Sequence, residues 1–313
     1  MNYLRGISGK IKFGEPLKGH TTFRIGGKAK VWFEPESVED LTNMVRAAGK
    51  QKLPLFVIGS GSNVLIADKE INGVFIKLSS AYFKKMSIKS ATIYCGAGAT
   101  LAELINTAYF HGLSGLEFLS GIPGTLGGAV FMNAGISAKI SAEGGSASGG
   151  KNGKTKTKSI GDFVKNVTVM DYKGNVKKIN SDKIIFTYRK SNLERCIILS
   201  AHLKLLKKDK KKIKKNMLEY IDKRRKAQDY AASSAGCFFK NPSNELSAGR
   251  LIDLCGLKGR SVGGAAVSRK HANFIVNKGG AKAGDVLSLM SLIRKRVKNK
   301  FGLTLNPEVK IWQ

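Results

Sequence analysis

Between Gly121 and Gly135 the chain reads GIPGTLGGAVFMNAG, five glycines and a proline leading into an apolar segment. A strand-to-helix connection does not need five glycines. A backbone that must lie flat on a ligand does, because any Cβ would hold it away. This stretch constrains the chain more than any other: it asks for a fold in which a glycine-rich loop covers a cofactor pyrophosphate. An earlier run, IGSGSN from Ile58 to Asn63, has the same character. It follows a β-rich segment, and its small residues can turn several N–H groups towards a phosphate. It is not GxGxxG, so the dinucleotide fingerprint is absent.

The pattern around these loops predicts an alternation of helices and strands. Ser37 to Asp40 and Thr100 to Glu103 have helix-capping spacing. LPLFVIG, NVLIA and GVFIKL are short apolar runs broken by Gly and Asn, hence strands. From Lys165 the strands NVTVMDY, NVKKIN and RCIILSAHLKLL follow. A basic helix is expected from Lys204 to Gln228, another helix near 245–255, a strand at ANFIVN, and a helix from Asp285 to Lys300. In the last helix Val286, Leu289, Met290, Ile293 and Val297 share one face and are expected in the core. LTLNPEVKIW closes the chain as a strand. Residues 141–159 are Gly, Ser and Lys with almost no apolar content, which predicts a mobile surface insertion. SGGKNGKT within it nearly spells a P-loop, but Ser148 stands in place of the first glycine and no strand precedes it.

The formal net charge is +32, which raises nucleic-acid binding at once. The charge is spread out, although Lys204 to Lys226 alone holds 12 basic and 3 acidic residues. No zinc finger or aromatic-interleaved basic motif accompanies it, so attraction of small anionic substrates is the better reading. No signal-like N-terminus and no apolar run of membrane-spanning length is present, and a cytoplasmic protein is expected. Cys95, Cys196, Cys237 and Cys255 lack zinc-ligand spacing, and Cys95 and Cys196 lie in apolar runs where a thiol packs as a small hydrophobe. Cys237, in SSAGCFFKNP, is different, since a small-residue turn delivers it. Metal and disulfide roles are set aside, which leaves nucleophile or proton donor. In FTYRKS, Tyr188 and Arg189 precede a long strand, and alone they read as surface.

Taken in order, TTFRIGG, IGSGSN, GIPGTLGGAVFMNAG, YRKS, SAGCFFKNP, AGRLID, KHANFIVN and NPEVKIW resemble the UDP-N-acetylenolpyruvoylglucosamine reductase family, in its shorter subtype, from about Thr21 to Trp312. The resemblance implies an α+β chain. Two subdomains of the vanillyl-alcohol-oxidase type, at 1–80 (with strand 304–313) and 81–206, would bind FAD. A C-terminal α/β substrate-binding domain would occupy 207–303. It implies reduction of an enolpyruvyl double bond on a UDP-sugar, with NADPH as co-substrate, by a monomer or weak oligomer without nucleic-acid or membrane partners.

The same resemblance implies site residues. Gly59, Ser60, Gly61, Ser62 and Asn63, with Gly121, Ile122, Pro123, Gly124, Thr125, Gly127, Gly128, Asn133 and Gly135, would hold FAD. The loops contain no histidine to bond it covalently, which argues against an oxidase of the same fold with attached flavin. Cys237 matches the proton donor, where many relatives carry serine. Arg189 and Glu308 match the groups that stabilise a developing carboxylate-enolate. Planar two-point donation suits arginine, and a protonated Glu308 requires a raised pKa. Tyr188, Asn241 and Lys226 match substrate contacts, and His271 is read as structural. A thiol with a pKa of about 8.5 would be a stronger acid than serine and open to oxidation.

Overall fold

The computed structural model describes residues 6–138, 156–230, 232–243 and 245–313. Most of the 141–159 segment lies outside the described residues. Its end does not: Lys156–Ser159 is a strand, antiparallel to Gly135–Ala138.

The first sheet is built on Lys28–Glu34, antiparallel to Lys10–Pro16 and parallel to Ile71–Ile76, which pairs in parallel with Leu55–Val57. Parallel strands covered on both faces carry unbroken apolar runs. Accordingly Val31, Trp32 and Phe33 are all fully buried, as are Val74, Phe75 and Ile76. The helix Val38–Lys50 covers one face with Leu41, Met44, Val45 and Ala48, and Ser37 caps it by accepting from Asp40 N at 3.0 Å.

The second sheet is antiparallel, in the order Val176–Asn180, Val164–Asp171, Cys196–Lys204, Thr92–Gly96, Met86–Lys89. Cys95 sits in its core, fully buried. The capping box of Thr100 and Glu103 opens Leu101–Phe110, whose apolar side packs in the same core. The basic helix is shorter than its charge pattern suggested, running Lys210–Ala227. The chain before it is held in a strand pair, Leu206–Lys207 with Leu113–Ser114.

The third sheet orders Ser233–Cys237, Phe274–Asn277, Ala265–Val267 and Ser261–Val262, all antiparallel, against the helices Ala248–Leu254 and Ala283–Phe301. SSAGC is thus strand rather than turn. Val286, Leu289, Ile293 and Val297 are buried as their spacing implied, and Met290 is half-buried against them. The cores do not follow chain order. Phe23, Ile25 and Leu65 from the N-terminal part, and Leu305 and Val309 from the C-terminal part, complete the third core. The final strand Lys310–Trp312 then pairs in parallel with Val64–Ile66. This return brings residues from both ends of the chain beside Cys237.

Candidate active site

The two glycine-rich loops face each other. Ser62 Oγ donates to Pro123 O at 2.6 Å, and a Cβ on Gly59 would lie 2.5 Å from Thr125 Oγ1. Gly61, at φ +61, is held so close to His20 that a Cβ would lie 2.0 Å from its carbonyl oxygen. Among the described residues, the N–H groups of Gly59, Ser60, Gly61 and Ser62 have no protein acceptor. Four neighbouring unpaired donors in a small-residue turn suit a pyrophosphate. Thr125 caps the short helix Leu126–Phe131 that leaves the second loop.

Beneath the loops lies a cavity of about 520 Å³. Gly59, Ser60, Thr125, Gly127 and Gly128 line it at one side, and Phe56, Phe131 and Trp312 give it aromatic walls. Lys77, Lys84 and Lys310 supply positive charge. These donors, cations and rings fit a flavin dinucleotide.

Not every glycine serves that cavity. A Cβ on Gly135 would strike Lys158 O at 2.4 Å, so its bareness admits the returning strand. One on Gly121 would meet Tyr230 Oη at 2.7 Å and Arg224 Cδ at 3.3 Å. The buried Asn133 amide is also taken by protein: Nδ2 donates to Thr187 O at 3.0 Å, and Oδ1 accepts from Gly161 N at 3.1 Å. Asn133 thereby ties the second loop to the turn carrying Tyr188 and Arg189. Asn63 ties the first loop to the C-terminal segment, donating through Nδ2 to Glu308 O at 3.4 Å and accepting at its own O from Lys310 N at 3.0 Å.

Cys237, Arg189 and Glu308 meet here, from three separate parts of the chain. Arg189 stands at the turn between Phe186–Thr187 and Lys190–Ser191, at φ +55, and its Nε donates to Glu308 Oε1 at 2.7 Å. Cys237 follows a bulge in its strand, where Gly236 takes φ +74 and the register skips between Ser234 and Cys237. Bulges of this kind re-aim the next side chain. Thr22 anchors the strand to the first loop, donating from Oγ1 to Ser234 O at 2.7 Å.

The electrostatics of the cluster follow from burial. Burial pushes Glu308 above the usual carboxylate range, against the pull of Arg189. Burial, and then the Glu308 charge, push the Cys237 thiol up to about 12, with Arg189, Arg224 and the Asn273 amide opposing. The thiol is therefore a weaker acid than an ordinary cysteine. Its scarce thiolate also makes it less open to oxidation than its sequence suggested.

Tyr188 lies under the Arg189 guanidinium, 5.2 Å from ring centroid to Cζ, and its Oη accepts from Asn241 N at 3.5 Å. The Asn241 side chain is turned inward instead, its Oδ1 accepting from Ala248 N at 3.0 Å. Lys226 is not brought to the cluster. Its side chain is 78% exposed and paired with Asp222 at 2.7 Å. The cation that reaches the site from this helix is Arg224. Its Nη2 donates to Phe118 O at 3.1 Å, its Nε is buried without a partner among the described residues, and it acts on both Cys237 and Arg189. Arg224 hides among Lys223, Arg225 and Lys226, but it continues the inward face of Ile213, Met217 and Tyr220 at helical spacing. His271 has a packing role: Nδ1 accepts from Asn273 N at 3.3 Å, and burial lowers its pKa.

Residues 29–180 match the family model described as FAD binding domain. The loops and cavity thus belong to an FAD-dependent oxidoreductase of α+β fold. Residues 228–312 match a second model, UDP-N-acetylenolpyruvoylglucosamine reductase, C-terminal domain. The curated UDP-N-acetylenolpyruvoylglucosamine reductase of Caldanaerobacter subterraneus is 41% identical over 97% of this chain and 94% of its own length. That of Syntrophomonas wolfei is 39% identical over 96% and 95%. The solved UDP-N-acetylenolpyruvylglucosamine reductase from Thermus caldophilus superposes with a TM-score of 0.77 at 35% identity, covering 97% of this chain and 99% of that one. The chain belongs to the UDP-N-acetylenolpyruvoylglucosamine reductase family. Among the described residues no helix is long and apolar enough to cross a membrane.

Among the described residues the cavity wall carries no histidine, and the one thiol in it, Cys196, has its pKa raised by burial. The flavin should accordingly be held without a covalent bond. Acid precipitation is expected to release all of the yellow colour into the supernatant, and colour left on the protein would contradict this.

Proposed function

We propose that this chain reduces the enolpyruvyl group of a UDP-N-acetylglucosamine enolpyruvate to UDP-N-acetylmuramate for peptidoglycan synthesis, at the cost of one NADPH. The observation that carries the chemistry is the Arg189–Glu308 pair beside a protonated Cys237. The two glycine-rich loops and the cavity beneath them would hold FAD, which when bound would supply the electrons of NADPH to the vinyl carbon as hydride. The protein must then handle the negative charge that builds on the carboxylate and protonate the carbon beside it.

Arg189 has charge and planar donors for that carboxylate. Glu308, with its raised pKa, is suited to hydrogen-bond the same oxygens or to resupply a proton. Cys237 gives its proton to the carbon, and its thiolate is stabilised by the nearby Arg189 and Arg224. Tyr188 and Arg224 replace Lys226 as our candidates for contacts to the UDP-sugar. On this reading the chain works in the cytoplasm, where nucleotide sugars are made, and the 1–80, 81–206 and 207–303 divisions are its two FAD subdomains and its substrate domain. The decisive experiment is a flavin spectrum. Bleaching by NADPH and recovery on adding the enolpyruvyl substrate support the reading, and bleaching without recovery refutes it.

The thiol sets an expected pH profile. A pKa raised to about 12 keeps the proton on sulfur through neutral and alkaline pH, and donor capacity is lost only as pH approaches that value. The substrate half-reaction should therefore show no thiol-controlled decline across pH 7–9, where an ordinary cysteine of about 8.5 would already be losing its proton. Stopped-flow reoxidation across that range checks this, and a break near the ordinary value would show the thiol is unperturbed.

The net charge of +32 should act mainly on capture of anions. Long-range attraction is screened by salt, so kcat/KM for NADPH and for the UDP-sugar should both fall as ionic strength rises. A salt-independent kcat/KM would count against steering.

A further inference from the structure

Cys237 is the last residue of its strand to pair in the ordinary way, opposite Phe274. Beyond it the ladder is continued by a side chain. Asn273, 2% exposed, accepts at Oδ1 from Phe239 N at 2.9 Å and donates from Nδ2 to Phe239 O at 2.8 Å. Its own carbonyl accepts from Phe238 N at 2.7 Å. One asparagine thus supplies the two-way bonding that a neighbouring strand residue would give.

The opposite edge of the same short segment holds the other catalytic group. Glu308 N donates to Phe238 O at 2.8 Å, and Lys240 N donates to Asn306 O at 2.8 Å, around a bridge between Phe239 and Pro307. Phe238 to Lys240 therefore runs as a middle strand, with Asn273 on one side and the segment 306–308 on the other. Both phenyl rings are buried, at 1% exposure each, so the segment is fixed from its faces as well. The Asn273 amide also favours the Cys237 thiolate, against the larger opposing effects of burial and the Glu308 charge.

The geometry points to Asn273 as the positioning residue of this active site, setting the proton-donating thiol and the Glu308 carboxyl in one register. The need for it arises at the bulge. With Gly236 at φ +74, the backbone before Cys237 leaves the regular strand, and the ladder alone does not fix where the sulfur points. Asn273 closes that freedom from the other side, by fixing the backbone of Phe238 and Phe239 directly after Cys237. This assignment rests on the proposed reductase reading, because it makes the thiol and carboxyl partners in one proton-transfer step.

Asn273→Leu keeps the volume and removes both polar arms. The full-length holoenzyme should retain its flavin, and NADPH should bleach it at the normal rate. Reoxidation by the enolpyruvyl substrate should slow by as much as ~100-fold, the cost of misplacing a reacting group by about 1 Å. An independent readout is alkylation of Cys237 by iodoacetamide, followed on its own peptide by mass spectrometry. Losing the amide that favours the thiolate should make alkylation at pH 9 slower than in the parent enzyme. If Asn273→Leu does not hold flavin, Asn273→Ser, smaller and able to bond one Phe239 group, is measured the same way.

Equal loss in both half-reactions, or alkylation and reoxidation both unchanged, would overturn the assignment. If the parent enzyme is not reoxidised by the substrate, the reductase reading fails by itself. The alkylation rates then decide the placement of the thiol alone: slower in the variant supports it, and unchanged refutes it.

Discussion

Cys237→Ala is expected to leave NADPH reduction of the flavin at its normal rate and to slow reoxidation by the enolpyruvyl substrate by ~10²–10⁴-fold, the usual worth of a positioned general acid. Reduction by NADPH needs no proton at the carbon beside the carboxylate, so the thiol has no part in it. Reoxidation does need that proton, and water admitted by the alanine would deliver it without fixed geometry. Cys237→Ser should restore most of the activity. A hydroxyl on the same carbon still presents a proton at that place, and burial and Glu308, which hold the thiol protonated, would hold the hydroxyl protonated as well. Stopped-flow absorbance separates the halves. Loss of the NADPH step in Cys237→Ala would show that the residue belongs to flavin binding rather than to proton transfer.

The loops were legible in the sequence because backbone proximity has only one solution. Where His20 approaches Gly61, no side chain can stand, and such demands leave glycines that a reader can see. What fills the space is less legible. Gly135 makes room for a returning strand and Gly121 for Tyr230, and the sequence does not distinguish these from glycines facing the cavity. The asparagine of FMNAG was visible as well, yet its amide is spent on joining Thr187 to Gly161.

Charge was the least legible feature. In a run of lysines and arginines each side chain looks alike, and Lys226 and Arg224 differ only by which side of the helix they occupy. The face is set by Ile213, Met217 and Tyr220, three residues that the charge count overlooks. Helical spacing from those residues, rather than distance from Cys237, would have selected Arg224. Asn273 left no sequence signal at all, since its work depends on a bulge and on the register of a segment some 34 positions away.

Arg189→Lys should be almost as damaging as loss of the thiol, and again only in the second half-reaction. The backbone at this position is left-handed, at φ +55, and arginine and lysine bear that conformation alike, so the substitution changes the head group and little else. Arginine spends Nε on Glu308 at 2.7 Å, and among the described residues no protein acceptor takes its two Nη groups. Those groups are free to meet both oxygens of a substrate carboxylate in one plane. An ammonium cannot hold Glu308 and also face a carboxylate with two parallel donors. Removing one preorganised donor of developing charge typically costs ~10²–10³-fold in turnover, and that is the expected slowing of reoxidation. Glu308→Gln provides the contrast. It preserves an acceptor for Arg189 Nε but cannot ionise or give up a proton, so a slow reoxidation with a normal NADPH step would mark Glu308 as a proton source. Near-normal reoxidation would leave it the role of holding Arg189. If Arg189→Lys instead loses flavin or the NADPH step, the arginine serves the cofactor, and the carboxylate must be met by another cation near Cys237, for which Arg224 is the candidate.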